Sequence, residues 1–224
     1  MIEEGLRNVL SRMAAAGGNA RLIAVSKTFP AECVQEAYNA GQRAFGENRV
    51  QELNEKAPLL PRDIEWHLIG HLQANKARHA LEYASWIHSI DSEALLRRVD
   101  RIATEMGKNP RLLLEVNVGR EESKFGLMPE EVCGVLQNFP CPRVCGLMTV
   151  APAEASPEEL HRIFAQLREL KEEASRASGL ALTELSMGMS GDLEIAIAEG
   201  ATMVRVGSAI FGHRDYSNAG GVAQ

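Results

Sequence analysis

The chain has 224 residues, 45% apolar, 24% charged and only 5% aromatic, so it has room for one large globular domain or two small ones, with a core of Leu, Ile, Val, Ala and Met that needs no disulfide or metal staple. Twenty-four basic against 30 acidic residues leave a net charge of −6, which argues against a general binder of nucleic-acid backbones. No apolar run reaches the roughly 18 residues of a membrane span, the opening MIEEGLRNVL carries acids where a signal peptide carries bases, and Cys33, Cys133, Cys141 and Cys145 form no C-x-x-C pair; a cytoplasmic protein with reduced, mostly buried thiols is expected.

Ile2, Leu6, Val9, Leu10 and Met13 recur at helical spacing, and Gly17 and Gly18 stop that helix. Leu22 to Ser26 is an apolar run too short for a helix and suited to a buried parallel strand. Pro30 suits the first helical position, Val34, Ala37 and Tyr38 share a face, and Gly41 closes that helix. The pattern repeats: 43–46 reads as a strand, 47–57 as a helix ended by Pro58, 65–70 as a strand, 73–81 as a helix and 86–90 as a strand. Ser92 is placed to cap a helix through about Met106, 112–118 is the plainest strand, Pro129 starts a helix and 144–150 is a strand. Ser156-Pro157-Glu158-Glu159 has the form of a capping box with Pro at the first helical position, opening a long helix. A strand at 183–187, a helix capped by Asp192 and a strand at 203–206 complete the series.

This makes eight strands separated by seven helices, with one helix in front. Strand–helix alternation implies a parallel sheet with right-handed crossovers, and eight units in about 200 residues match a compact (β/α)8 barrel. A doubly wound open sheet stands as the alternative, because periodicity does not show closure. A single domain over 1–224 is expected, with a frayed tail at 217–224.

In such a barrel the site lies at the C-terminal ends of the strands. Ser190-Gly191 precedes the Asp192 helix, and Gly207-Ser208 follows the last strand. Together they offer hydroxyl donors, free backbone N–H groups and close backbone approach to a phosphate; the plainer reading is that the glycines only serve turns. Lys27 follows an apolar strand, so its stem is expected to be enclosed and its ammonium desolvated, which frees a neutral amine for a Schiff base. A solvated lysine at a strand end is the plainer reading. A phosphate cradle facing an enclosed lysine suggests a phosphorylated aldehyde. Alternation places Arg205 on the face of Gly207. There a permanently charged donor would keep a pyridine nitrogen unprotonated and weaken an electron sink; pairing to Glu115 is the plainer role. His67 and His71 have H-x3-H spacing but straddle a strand end and a loop, so packing and a place on the pocket rim are expected rather than zinc. Lys76 is expected on a helix, and Lys124 in a long loop able to cover the mouth.

Six motifs in order carry a resemblance: AVSKT at 24–28, FGEN at 45–48 with VQE at 50–52, HLIG at 67–70 with LQ at 72–73 and NK at 75–76, GLMT at 146–149, LSMGMS at 185–190 with Asp192, and VRVG at 204–207 with AIFG at 209–212. Together they resemble the pyridoxal phosphate homeostasis proteins, relatives of the N-terminal barrel of alanine racemase, from about residue 20 to 216. The resemblance implies a barrel binding pyridoxal 5′-phosphate (PLP), with Lys27 as the Schiff-base lysine. Ser190, Gly191, Gly207 and Ser208 would lie at the phosphate, Arg205 at the pyridine nitrogen, and Asn48 and Met148 near the ring. It further implies a monomeric regulator of vitamin B6 and amino-acid or keto-acid balance, without robust catalytic turnover. Amino acids and PLP-dependent apo-enzymes are the partners such a role implies. Arg49 departs from the aromatic expected there, and Ser208 replaces the commoner threonine. A racemase is an alternative, but its second base would be a tyrosine from a further domain, and this chain has only Tyr38, Tyr83 and Tyr216. A phosphosugar isomerase or aldolase on the same barrel is another.

Overall fold

A computed structural model describes residues 1–212; the expected tail at 217–224, and Tyr216, lie outside the described residues. The helix α1 (Ile2–Ala15) comes first, followed by β1 (Arg21–Val25), α2 (Ala31–Asn39), β2 (Ala44–Glu47), α3 (Val50–Lys56) and a 3-10 turn (Ala57–Leu59). Then come β3 (Glu65–Leu68), a 3-10 turn (Ala74–Lys76), α4 (Ala77–Tyr83), β4 (Ala84–Ile90), α5 (Glu93–Glu105), β5 (Arg111–Glu115) and α6 (Pro129–Asn138). The last part comprises β6 (Val144–Met148), α7 (Pro157–Ser178), β7 (Glu184–Ser186), α8 (Leu193–Ala198), β8 (Met203–Val206) and α9 (Ser208–Phe211).

The eight strands form a closed parallel barrel in chain order. Closure comes from β1 pairing with β8, Arg21 beside Met203 through Ala24 beside Val206, and it excludes the open sheet. Two apolar layers result. Leu22, Ala24, Phe45, Trp66 and Leu68 pack outward against the helices, while Ile23, Ala44, Trp86, Leu113, Cys145, Met148 and Met203 fill the interior. Alternation produces most of this division, and register shifts in the β4–β5 and β5–β6 pairings accompany the exceptions, which include Cys145 and Met148 both facing inward. The N-terminal end of the barrel is plugged by Trp86, with Arg21 and Arg111 guanidinium carbons 5.0 and 4.6 Å from its ring centre.

Local signals end several elements earlier or later than the periodicity suggests. Glu47 belongs to β2 and the following helix starts at Val50. The strand expected over 112–118 stops at Glu115, because the chain returns through Gly126 (φ +115°) and Leu127 takes the backbone bonds of Glu115 and Asn117. Pro30 caps α2 from outside rather than opening it. Ser92 and Ser156 cap as expected, accepting from the N–H groups of Leu95 and Glu159, and Glu159 closes the box on the Ser156 N–H; each such cap is worth about 1 kcal/mol.

The extra helix α1 is built into the barrel wall. A Cβ on Gly5 would lie 2.7 Å from the Ile210 carbonyl oxygen, so only glycine allows this approach to α9. Arg12 on the same helix pairs with Glu194 at 2.6 Å and donates to the Ser190 carbonyl at 3.0 Å. No helix among the described residues is long and apolar enough to cross a membrane.

Candidate functional site

The C-terminal mouth of the barrel gathers the residues expected there. Ser190 and Ser208 come together, their hydroxyls 3.3 Å apart, although 18 positions separate them. Neither α8 nor α9 has a side-chain cap at its start. Asp192 was expected to cap α8; its carboxylate instead accepts from the Met189 N–H and closes the loop that presents Ser190. Gly207 permits a close approach, since an added Cβ would sit 3.2 Å from the Val25 carbonyl oxygen. Gly191 is exposed and a Cβ there would meet nothing within 4 Å, so close packing does not require its glycine. The two loops thus converge hydroxyls on one spot beside two uncapped helix starts, a donor set suited to a phosphate.

Lys27 is exposed. The expected enclosure of its stem is not found, because β1 ends at Val25 and the chain leaves the barrel through a turn in which Thr28 has φ +68°. A β-branched residue is strained in that region. The turn is tethered from behind by a buried cluster that the sequence did not reveal. The Lys56 ammonium donates to the Ser26 carbonyl at 2.9 Å, to Glu47 at 2.8 Å and to Glu52 at 3.2 Å. The Ser26 hydroxyl donates to the same Glu47 oxygen at 2.7 Å, and the Thr28 N–H donates to Glu52 at 2.6 Å. Burial pushes the Glu47 carboxyl up despite Lys56 and Ser26, and its Oε2 has no hydrogen-bond partner among the described residues. At Glu52 burial acts the same way, but the Thr28 N–H and Lys56 outweigh it and bring the carboxyl down.

Arg205 lies on the inner face of β8 and is almost fully buried. Its Nη1 donates to the Ser186 hydroxyl at 2.6 Å and its Nη2 to the Thr149 carbonyl at 2.8 Å. Pairing to Glu115 is therefore not its hydrogen-bonding role; Glu115 contributes through its charge. Burial pulls the guanidinium down to about 10, so it stays charged at neutral pH. Glu115 itself is pushed up to about 7 by burial and by the nearby Asp91, a carboxyl poised to exchange protons at the mouth.

The rim is formed by loops. Asn48 is half-buried, and a Cβ on Gly70 would come within 2.3 Å of its carbonyl oxygen, so Gly70 lets these two loops touch. Arg49 beside it is exposed. His71 pairs with Asp91 at 3.1 Å and stacks on Phe125, ring centres 3.8 Å apart. The stack joins the loop after β3 to the loop after β5. Lys124 bonds the carbonyls of Val150 and Ala151 and pairs with Glu121, so its loop reaches the β6 end of the mouth. Lys76 is half-buried in the 3-10 turn before α4. Met148, expected near the ring, is fully buried with Leu113, Cys145 and Met203; it belongs to the interior beneath the mouth. His67 is buried and bonded through both ring nitrogens, to Glu65 and His88. Burial pushes the Cys141 and Cys145 thiols up to about 11.

Sequence reasoning assigns no role here to Lys56 or His88, and it names Ser186 and Thr149 only as members of the LSMGMS and GLMT motifs. For Lys56 the visible trace is its i, i+4 spacing from Glu52, which is as common on solvated helices.

Known proteins match this arrangement along almost the whole chain. The family model of the alanine racemase N-terminal domain covers residues 4–215. The pyridoxal phosphate homeostasis protein of Aquifex aeolicus is 42% identical over 224 aligned residues, covering 95% of this chain and 98% of that one. That of Synechocystis is 44% identical, covering 87% and 91%. PipY of Synechococcus elongatus, solved with PLP bound, is 45% identical with a TM-score of 0.86, covering 95% of this chain and all of that one. Fold, motif order and extent agree: the chain belongs to the alanine racemase N-terminal domain family and, within it, to the pyridoxal phosphate homeostasis proteins.

Proposed function

We propose that this protein holds PLP at the barrel mouth through a Schiff base to Lys27 and serves as a reversible store of the cofactor in PLP homeostasis. The observation that carries this reading is the convergence of the Ser190 and Ser208 hydroxyls at the strand ends that also present Lys27 and Arg205. The PLP-bound structure of the 45% identical PipY supports it. When bound, PLP supplies an aldehyde that condenses with a primary amine, releasing water, and passes to another amine by exchange.

The residues divide the work. Ser190, Gly191, Gly207 and Ser208 hold the phosphate, Arg205 donates toward the ring nitrogen, and Asn48 borders the ring with Met148 beneath it. A guanidinium at that nitrogen leaves it unprotonated, which weakens the ring as an electron sink and favours storage over turnover. The racemase alternative lacks its tyrosine base among the described residues: Tyr38 is bonded to Asp63 and Tyr83 ends α4, neither at the mouth. The exposure of Lys27 suits exchange with free amino acids or with the lysine of a PLP-dependent apo-enzyme. We place the protein in the cytoplasm and as a monomer on the same reading.

The test is the visible spectrum of the purified protein with added PLP, followed by borohydride reduction and peptide mass mapping. A yellow protein that is bleached by reduction and carries the pyridoxyl mass on the Lys27 peptide is expected, with neither signal in Lys27→Ala. A protein that stays colourless with PLP overturns the proposal and favours a phosphosugar enzyme.

A further inference from the structure

Beneath Arg205 a line of polar side chains crosses the barrel interior. Arg205 Nη1 meets Ser186 Oγ at 2.6 Å, Ser186 Oγ meets His88 Nδ1 at 2.8 Å, and His88 Nε2 meets His67 Nδ1 at 2.9 Å. His67 Nε2 then meets Glu65 Oε1 at 2.9 Å, and the same oxygen receives Arg21 Nη1 at 2.7 Å. Ser186, His67 and His88 are wholly buried. The line runs from β8 through β7, β4 and β3 to β1, and thus from the mouth toward the Trp86 plug.

The two ends fix its direction. Arg205 has only donors, so the Ser186 oxygen must accept from it. At the other end Glu65 is a carboxylate: burial works to raise it, but His67 and Arg21 prevail and hold it at about 2. It therefore accepts, and His67 must carry its proton on Nε2. The neutral ring then has a lone pair on Nδ1, so His88 donates to it from Nε2. His88 Nδ1 is left to accept the Ser186 hydroxyl proton. The reverse order would turn a lone pair of His67 toward the Glu65 carboxylate, unless that ring took a second proton. Burial opposes this, holding both imidazoles below their usual range.

We propose that Ser186, His88, His67 and Glu65 form a one-way hydrogen-bond chain that positions the Arg205 guanidinium. Every member donates toward Glu65. The Ser186 proton is committed to His88, so its oxygen offers Arg205 only a lone pair, and the Thr149 carbonyl fixes the second nitrogen. The guanidinium cannot turn without breaking both contacts. These four are positioning residues. What Arg205 is positioned for, the pyridine nitrogen of PLP, rests on the function proposed above.

The test has a part independent of PLP. In cofactor-free protein labelled with 15N, long-range 1H–15N correlation is expected to show neutral, Nε2-protonated rings for His67 and His88. The Arg205 Nη protons are expected to be resolved in the wild type and averaged by rotation in Ser186→Ala. A Nδ1-protonated His88, a doubly protonated ring, or an Arg205 already averaging in the wild type overturns the chain. With PLP added, Ser186→Ala is expected to bind about two- to tenfold more weakly, the loss of one buried hydrogen bond, with a displaced visible band; Ser186→Thr, which keeps the hydroxyl, restores the band. A wild type that binds PLP while Ser186→Ala matches it in affinity and spectrum overturns the positioning role. A wild type that binds no PLP overturns the function, and the NMR result then decides the chain by itself.

Discussion

Lys27 and Arg205 follow or lie on adjacent strands, β1 and β8, yet they are supported in opposite ways. Around Arg205 the contacts fall on the side chain, which is buried and bonded at two nitrogens. Around Lys27 they fall on the backbone: Lys56 binds the Ser26 carbonyl and Glu52 the Thr28 N–H, while the lysine side chain is exposed. A group that must stay still is fixed at its own atoms. On the proposed function Lys27 exchanges partners, and it is held through the backbone of the residues on either side, so its root is fixed and its tip is free. In both regions the support is a buried charged network, which is costly to break on one side only.

Three changes probe this contrast, beyond the Lys27→Ala and Ser186→Ala tests. The largest effect is expected from Lys56→Met. It strands the Glu47 carboxyl, already without a partner at Oε2, and is expected to cost about 3–5 kcal/mol in denaturant unfolding. The double variant with Glu47→Leu should recover a large part of that loss. If Lys56→Met unfolds like the wild type, the Lys27 side has no buried-charge support and the comparison fails.

Next is the pH response of the Arg205 side. Glu115 keeps its proton in the folded chain up to about 7, whereas its ordinary value is 4.5. Between these values the folded state binds more protons than the unfolded one, so the contribution of this group to stability falls as pH rises through that window and is fully present below it. Glu115→Gln should remove that decline, raising stability by about 3 kcal/mol at pH 8 relative to the wild type and by nothing at pH 4. Thermal unfolding across pH measures it; a parallel shift at all pH values would contradict the assignment.

The smallest effect is expected at Thr28, whose φ of +68° glycine adopts without strain. Thr28→Gly should raise stability by about 0.5–1 kcal/mol, the relief of strain less the added chain entropy. A loss instead would mean that the threonine side chain, rather than Glu52, holds the turn.

The barrel was readable because each strand–helix unit is a local pattern. Gly207 and Arg205 were placed on one face by alternation alone, and Ser190 and Ser208 were paired by the general location of phosphate sites in this fold. What failed to show was set by distance in the chain. His88 and Ser186 stand 98 positions apart, and no local period reports which side chains meet inside a closed sheet. Lys56 looks like a solvated helical lysine until α3 is packed. The apolar run before Lys27 suggested enclosure, but the strand stops two residues earlier and the turn carries the side chain outward.

The contact of Arg12 with Glu194 spans 182 positions, and the β1–β8 seam is of similar reach. During synthesis the first helix and strand leave the ribosome long before the segments they need. High contact order of this kind slows closure. The loops bearing Ser190 and Ser208 are tied to α1 and β1, so the mouth is complete only once this seam has closed. A nascent chain therefore exposes the Lys27 amine before the loops around it converge, and on the proposed function closing the seam completes the pocket for it.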